Sequence, residues 1–508
     1  MIPRIPRPSR TARGADRPKP AGFDRRLIAP MVLGSVLNPV NSSMIAVALV
    51  PIGAAFGASP ARTVWLVSAL YLATAVGQPV IGRLVDMYGP RRLYLVGTSL
   101  VGVAGLLGAL APSLGALIGA RVLLGFGTSA AYPASMQLTR REAERTGQDS
   151  PAGVLTALAV ANQTVAVVGP ALGGLLIGAG GWRAVFTVNV PLSAACLVLG
   201  GLRLPREPRA AAGDRREVDL PGMVLFAAML VALMLFLMAP RSDHWYLPLL
   251  AAVAAAAFAL RELGTARPFV DLRVLGGNVP LLVTYLRQFL GYTTSYAFMY
   301  GYTQWLEQGR GLGASTAGLV LLPLSATALT VSTLTGRREA VRTKLVAGAC
   351  VQIAACAFLL LVGSGSGLWM LLVAGVVMGV PQGLIGLANQ NALYRQADPA
   401  RIASAAGLLR TFMYLGALGA SAATAGFFPH RADTFGLHGL ALFMVAGSTL
   451  LLATVLPDRT LRSLTPPAPV PAAAQPESRP PHAPQEPRRS RHPQEPRESQ
   501  DSSETRKA

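Results

Sequence analysis

Three arginines, Arg121, Arg287 and Arg410, stand inside stretches that are otherwise apolar, and no acid stands with them. At mid-membrane an unpaired arginine costs about 2.5–3.5 kcal/mol on insertion scales, so it needs a wet cavity, a partner, or a stem long enough to reach the headgroups. Arg287 and Arg410 lie a couple of turns from segment ends, where the last route is open to them. The acids Asp86, Glu262, Asp271, Glu307, Glu339 and Asp398 all fall at segment ends or in loops. Arginine titrates too high to exchange protons near neutrality, a chemistry open instead to carboxyls such as those of Asp86 and Glu307.

A second set of residues offers binding surface. Tyr285, Phe289, Tyr292, Tyr296 and Tyr300 recur at helical spacing, and Gln288 shares the face of Tyr292. Rings bearing hydroxyls suit amphipathic, ring-containing molecules, although a stripe of this kind also serves plain helix packing. Asn41, Asn162, Gln163, Gln382, Asn389, Gln390 and Asn391 are uncharged polar groups that lipid penalises. They must line a path or bond to neighbouring helices.

Both sets need a membrane to hold them. A chain of 508 residues that is 52% hydrophobic and 14% charged has too little polar surface for a soluble globule. Runs near the ~20-residue spanning length predict helices over 27–56, 64–84, 93–114, 117–136, 154–178, 184–202, 220–239, 245–260, 280–306, 317–335, 344–362, 368–394, 403–427 and 436–456. The fold class is an all-α integral membrane protein of about fourteen transmembrane helices, two six-helix bundles with a two-helix insertion between them. Its parts are an N-terminal tail (1–26), a first bundle (27–202), a connector with two extra helices (203–277), a second bundle (278–456) and a disordered proline-rich tail (457–508). Alternate loops carry the arginines, from Arg83, Arg91 and Arg92 through Arg140, Arg141 and Arg145 to Arg395 and Arg401, while opposite loops hold one or none. That bias predicts both termini in the cytoplasm.

Several classes drop out on the same grounds. The net charge of +21 sits in short loops and forms no basic face for nucleic acid. Cys196, Cys350 and Cys356 fall in apolar runs, so neither a disulfide framework nor a metal site is expected. No phosphate-binding Gly-x-x-x-x-Gly-Lys-Ser/Thr loop occurs, and the five histidines have no acid at useful spacing, so neither a nucleotide-driven pump nor an enzyme is expected, and no cofactor.

The charged turn Gly82-Arg83-Leu84-Val85-Asp86-Met87-Tyr88-Gly89-Pro90-Arg91-Arg92 lies between two spanning runs. It resembles the signature loop between spans two and three of the major facilitator superfamily of transporters. Arg121 with Gly125 and Gly127 is similar to that family's second signature, and Gly169-Pro170-Ala171-Leu172-Gly173-Gly174 to the one that marks antiporters. Trp182-Arg183-Ala184-Val185-Phe186, Asn189-Val190-Pro191, Leu49-Val50-Pro51 and the count of fourteen resemble the drug:proton antiporter branch.

The resemblance implies a monomeric secondary transporter that rocks two bundles about a midplane cavity in a bacterial cytoplasmic membrane. It implies export of small amphipathic compounds such as drugs or antibiotics, with protons as the coupling ion. In this reading Asp86 closes an inner gate by pairing with arginine, and Gly169, Pro170, Gly173 and Gly174 form a close-packed kink or hinge. Arg121 belongs to the coupling site. Two departures stand out. Met87 replaces the base that usually follows the aspartate, so pairing must use Arg83, Arg91 or Arg92. Span one reads Asn38-Pro39-Val40-Asn41 where proton-coupled relatives carry an acid. A cavity with cations and no acid favours neutral or anionic substrates. A facilitator or importer of an endogenous metabolite, or a sensor without transport, shares the same fold.

Overall fold

The computed structural model describes residues 23–463 apart from 64, 147–151, 207–218, 239–241, 266–267, 271, 337–339 and 430. Most of both expected tails, 1–22 and 464–508, lies outside the described residues, as do Asp271 and Glu339. Every regular element among the described residues is helical. The spanning helices are α1 (Arg25–Phe56), α2 (Trp65–Tyr88), α3 (Pro90–Ala109), α4 (Leu114–Thr146), α5 (Ala152–Gly180), α6 (Ala184–Arg203), α7 (Leu220–Met238) and α8 (Tyr246–Gly264). They continue with α9 (Val279–Gln304), α10 (Thr316–Thr335), α11 (Val341–Leu359), α12 (Leu368–Gln396), α13 (Pro399–Phe427) and α14 (Thr434–Val455). Thirteen are long and apolar enough to cross a membrane. The exception, α9, has the length at 26 residues but carries Arg287, Gln288 and a run of tyrosines.

Two boundaries correct the sequence reading. α2 continues through Asp86 to Tyr88, and α3 starts at Pro90, so the expected surface loop shrinks to Gly89. Nothing before Gly89 breaks the helix. Gly89 reverses the chain at φ 94°, a conformation open mainly to glycine, and Pro90 begins the next helix where no N–H partner is required. Likewise α4 runs on to Thr146 after an interruption at Ser129–Ala130, so Arg140, Arg141 and Arg145 stand on helix rather than in a loop.

Within α1–α6, α1 lies along α5 and α4 packs on α2 and α3, while within α9–α14, α9 packs on α13 and α12 on α10 and α11. The main seam between the groups is α2 against α13, joined by α4 against α13 and α5 against α10. α7 and α8 pair with each other, and Phe226, Phe258 and Phe269 seat them beside that seam against Val76 and Leu408. Glycine brings the seam to backbone contact. A β-carbon on Gly407 would come to 2.9 Å from Pro79 Cα, and one on Gly82 to 3.1 Å from Ser404 Cα.

Gly407→Val therefore forces α2 and α13 apart. Overpacking of ~1.4 kcal/mol corresponds to about a tenfold population change. Thr411→Cys, at a position now buried on this seam, should react about tenfold faster with a water-soluble maleimide when Gly407→Val is added. An unchanged rate would show that the seam is not set by these glycines.

Candidate gate and central path

α13 opens with a single turn at Pro399–Arg401, and its α-helical part begins at Ile402 after Arg401, whose side chain makes no capping bond. The first N–H groups of a helix have no intrahelical partner and carry the positive end of its dipole. Asp86, on the last turn of α2, supplies the missing acceptor from the other helix group. Its Oδ1 accepts from the Ala403 N–H at 3.0 Å, and its Oδ2 from the Ser404 N–H at 2.8 Å and from the Ser404 hydroxyl.

Asp86, expected to pair with arginine, is held here by the backbone and the Ser404 hydroxyl at the start of α13. Arg91 instead donates to the Gly201 carbonyl at 2.9 Å, at the C-terminal end of α6, and Arg83 reaches the Pro268 carbonyl at 3.5 Å. The cause is the direction of the helices. α2 aims the carboxylate across the seam at a positive helix end, whereas Arg91, the second residue of α3, faces a negative one.

Deeper along the seam the Thr411 hydroxyl donates to the Ala75 carbonyl at 2.7 Å, and the Tyr414 hydroxyl to Asn38 Oδ1 at 3.2 Å. Asn38 in turn donates toward Thr74 and Thr128. Arg410 crosses the seam as well, its guanidinium 4.1 Å from the Tyr132 ring centroid. Beyond it the ring centroids of Tyr292 and Tyr296 are 5.9 Å apart, those of Tyr296 and Tyr300 5.6 Å, and those of Tyr71 and Tyr414 5.7 Å. Tyr292, Tyr296 and Tyr300 remain partly exposed. Past Tyr300 a recess of about 470 Å³ opens, lined by Met299, Thr303, Gln304, Ser421 and Thr424. Tyr71, Tyr132, Tyr414 and Asn38 were not foreseen. Only Tyr414 carried a signal, standing four residues after Arg410 on one helix face.

Several other expected path residues bond within their own helix group, while Gln390 reaches across to the Met136 sulfur of α4 at 3.8 Å. Arg121, 1% exposed, donates to the carbonyls of Leu66 at 2.8 Å and Asn41 at 3.2 Å, and its Nη2 is buried with no partner. Asn41 turns toward α6 and exchanges hydrogen bonds of 2.6 and 2.9 Å with the Asn189 amide. Asn389 donates to Gln288 at 3.0 Å, both buried. Asn162 bonds the Leu158 carbonyl at 2.6 Å, and Gln163, half-buried, has its Oε1 buried without a partner. Gly169 and Gly173 press on α1 at Ser43 and Met44, Gly174 faces open space, and Pro170 lies inside α5. Glu307 is exposed in a turn after α9.

Arg287 turns away from the path altogether. Fully buried, it donates to Asp458 at 2.7 Å and to the Thr454 carbonyl at 2.5 Å, beside the C-terminal end of α14. Burial pushes the Asp458 acid up, but hydrogen bonds from Thr460 and Arg287 outweigh it and hold the carboxyl below its ordinary value.

Asp86→Asn removes charge-assisted bonds worth roughly 1.5–3 kcal/mol. A disulfide introduced between the α2 and α13 ends should form at least tenfold more slowly in that variant, and equal rates would mean the carboxylate does not hold the seam. For Arg287, Asp458→Ala should destabilise the protein by about 3–5 kcal/mol in thermal unfolding while Arg287→Met with Asp458→Leu recovers most of it. The sign with pH follows from the depressed acid. The stabilisation is present above the unfolded carboxyl value of ~3.9 and is lost as pH falls through the lower folded value, so the difference from Asp458→Asn should be flat from about pH 5 to 8.

Comparison with known proteins agrees with this architecture. The model of the Major Facilitator Superfamily matches residues 31–421. An uncharacterized MFS-type transporter of Bacillus subtilis, YwoD, is 32% identical over 434 residues, 83% of this chain and 94% of its own. The lincomycin resistance protein of Streptomyces lincolnensis is 30% identical, covering 84% of this chain and 90% of its own. The crystal structure of the human organic anion transporter MFSD10 superposes with a TM-score of 0.59 over 84% of this chain and 99% of that one, at 15% identity, a likeness of fold. With a family match across the helices that build both the gate and the path, the chain belongs to the Major Facilitator Superfamily: it is a multi-pass membrane transporter of small molecules.

Proposed function

We propose that the protein exports small neutral or anionic amphipathic compounds, antibiotics among them, across a bacterial cytoplasmic membrane by proton-coupled alternating access. The observation that carries the substrate class is the path itself. Arg410 and the tyrosines Tyr71, Tyr292, Tyr296 and Tyr414 line it, Arg121 lies beneath it with one guanidinium nitrogen unpartnered, and among the described residues no carboxylate accompanies either arginine. Rings supply area for apolar bodies, and the cations attract acceptors and repel other cations. The likeness to a lincomycin resistance protein supports export over uptake.

On the orientation given by arginine bias, the Asp86 end faces the cytoplasm and is shut, while the recess past Tyr300 faces outward. Asp86 then has the position of a coupling acid. Protonation would remove the charge that the first turn of α13 holds, and the inner end would part. Gly169 and Gly173, packed on α1, act as close contact within the moving bundle.

Drug accumulation inside inverted vesicles, the equivalent of efflux from the cell, tests this reading. Neutral and anionic drugs should be pumped, faster with an imposed pH gradient, and a permanently cationic dye should not; Arg410→Met should reduce anion efflux roughly tenfold, more than neutral efflux. Equal pumping of the cationic dye would end the substrate assignment. Efflux indifferent to the pH gradient would end the proton coupling.

A further inference from the structure

The two extra helices look inert along most of their length, yet where they meet the seam two acids are buried together. Asp219 is 8% and Glu262 2% exposed. Asp219 caps the first turn of α7, its Oδ1 accepting from the Gly222 N–H at 3.1 Å and from Arg261 at 3.0 and 2.8 Å. Glu262, next to Arg261 on α8, accepts the Val270 N–H at 3.1 Å through Oε2. Each acid therefore has one oxygen engaged. The other two, Asp219 Oδ2 and Glu262 Oε1, are buried, accept no hydrogen bond of normal geometry among the described residues, and lie together against Gly222, where a β-carbon would collide with both.

The charge count decides what this arrangement can be. Two carboxylates with one guanidinium leave a buried negative charge, and two facing carboxylate oxygens repel with no donor between them. One proton resolves both problems. We propose that Asp219 and Glu262 form a proton-binding site at the seam end of α7 and α8, with the proton on Glu262 Oε1 donated to Asp219 Oδ2. The placement on Glu262 follows from the partners. Arg261 belongs to Asp219, where its hydrogen bonds outweigh a burial that alone would raise the acid, and hold it below its ordinary value. Glu262 has only a backbone N–H, which a neutral acid accepts through its carbonyl oxygen.

This site is coupled to the gate through the strap that Glu262 holds. Residues 268–270 carry the Val270 N–H, seat Phe269 5.4 Å from Phe226, and present the Pro268 carbonyl to Arg83 of α2. The charged groups around the pair, among the described residues, are Arg261, Arg83 and Arg273, the last donating to the Leu263 carbonyl. Loss of the proton places two anions in contact beneath the strap and loosens it.

Infrared difference spectroscopy on the full chain in lipid nanodiscs tests the proton directly. Glu262→Gln keeps both hydrogen bonds, its amide donating to Asp219 and its carbonyl accepting from Val270, so it should fold. The carbonyl band of a protonated carboxyl should be present at neutral pH, vanish on alkaline titration, be absent in Glu262→Gln and survive in Asp86→Asn. A band missing from the unmodified protein, or unchanged in Glu262→Gln, overturns the site. Hydrogen exchange of the peptide carrying 268–270 reads the coupling. At alkaline pH it should be about tenfold faster than in Glu262→Gln at the same pH, and equal exchange overturns the link to the strap. Neither measurement involves transport, so failure here leaves the proposed export reading standing.

Discussion

A carboxylate on one helix group and the N–H groups that begin the α-helical part of α13 on the other hold the seam together at Asp86, Ala403 and Ser404. Every other seam contact depends on that geometry. For Asp86 to reach those N–H groups, α2 must stay helical to its last turn, reverse within one residue at Gly89, and lie close enough to α13 that only glycine fits at Gly82 and Gly407. The interaction is strong because it satisfies donors that nothing else in α13 satisfies, and reversible because the alternative partner, water, enters as soon as the helices part. An ion pair with arginine would have held the same two surfaces with long, mobile side chains. A helix terminus fixes position and direction at once.

The same rule places three further charges among the described residues. Arg91 sits at the C-terminal end of α6, Arg287 at that of α14, and Asp219 at the start of α7. Lipid offers no solvation, so a charge survives where the backbone presents several oriented dipoles or a partner of opposite sign. Helix ends are the sites in a helical membrane protein where that condition is met without further side chains. This explains why Arg287, which stood beside the aromatic stripe in the sequence, is held by Asp458 and the end of α14.

Element type and number were legible because a run of ~20 apolar residues has one stable outcome in lipid. The charged turn after residue 82 marked the end of α2 that meets α13, and the aromatic period of α9 put Tyr292, Tyr296 and Tyr300 on one face. What could not be read was direction. Periodicity puts Arg287 and Gln288 beside the stripe, but a difference of one residue is a rotation of about 100° on a helix, enough to send Arg287 to Asp458 and Gln288 to Asn389. Asn41 failed for the same reason, since its partner Asn189 lies 148 residues away. Glu262 was legible only as an acid near a segment end. Its meaning came from Asp219 and Gly222, which no local pattern joins to it.

The absence of an acid beside Arg121 and Arg410 fits the proposed substrates on energetic grounds. A carboxylate there would form a satisfied buried pair, and separating such a pair for a ligand costs several kcal/mol. Backbone carbonyls hold Arg121 and a ring face holds Arg410, contacts that are individually weaker: cation–π attraction contributes roughly 0.5–2 kcal/mol. A ligand that brings its own acceptor therefore displaces little and gains a charge-assisted bond. On the proposed reading, cations held by such contacts keep their strongest hydrogen bonds for the molecule that passes.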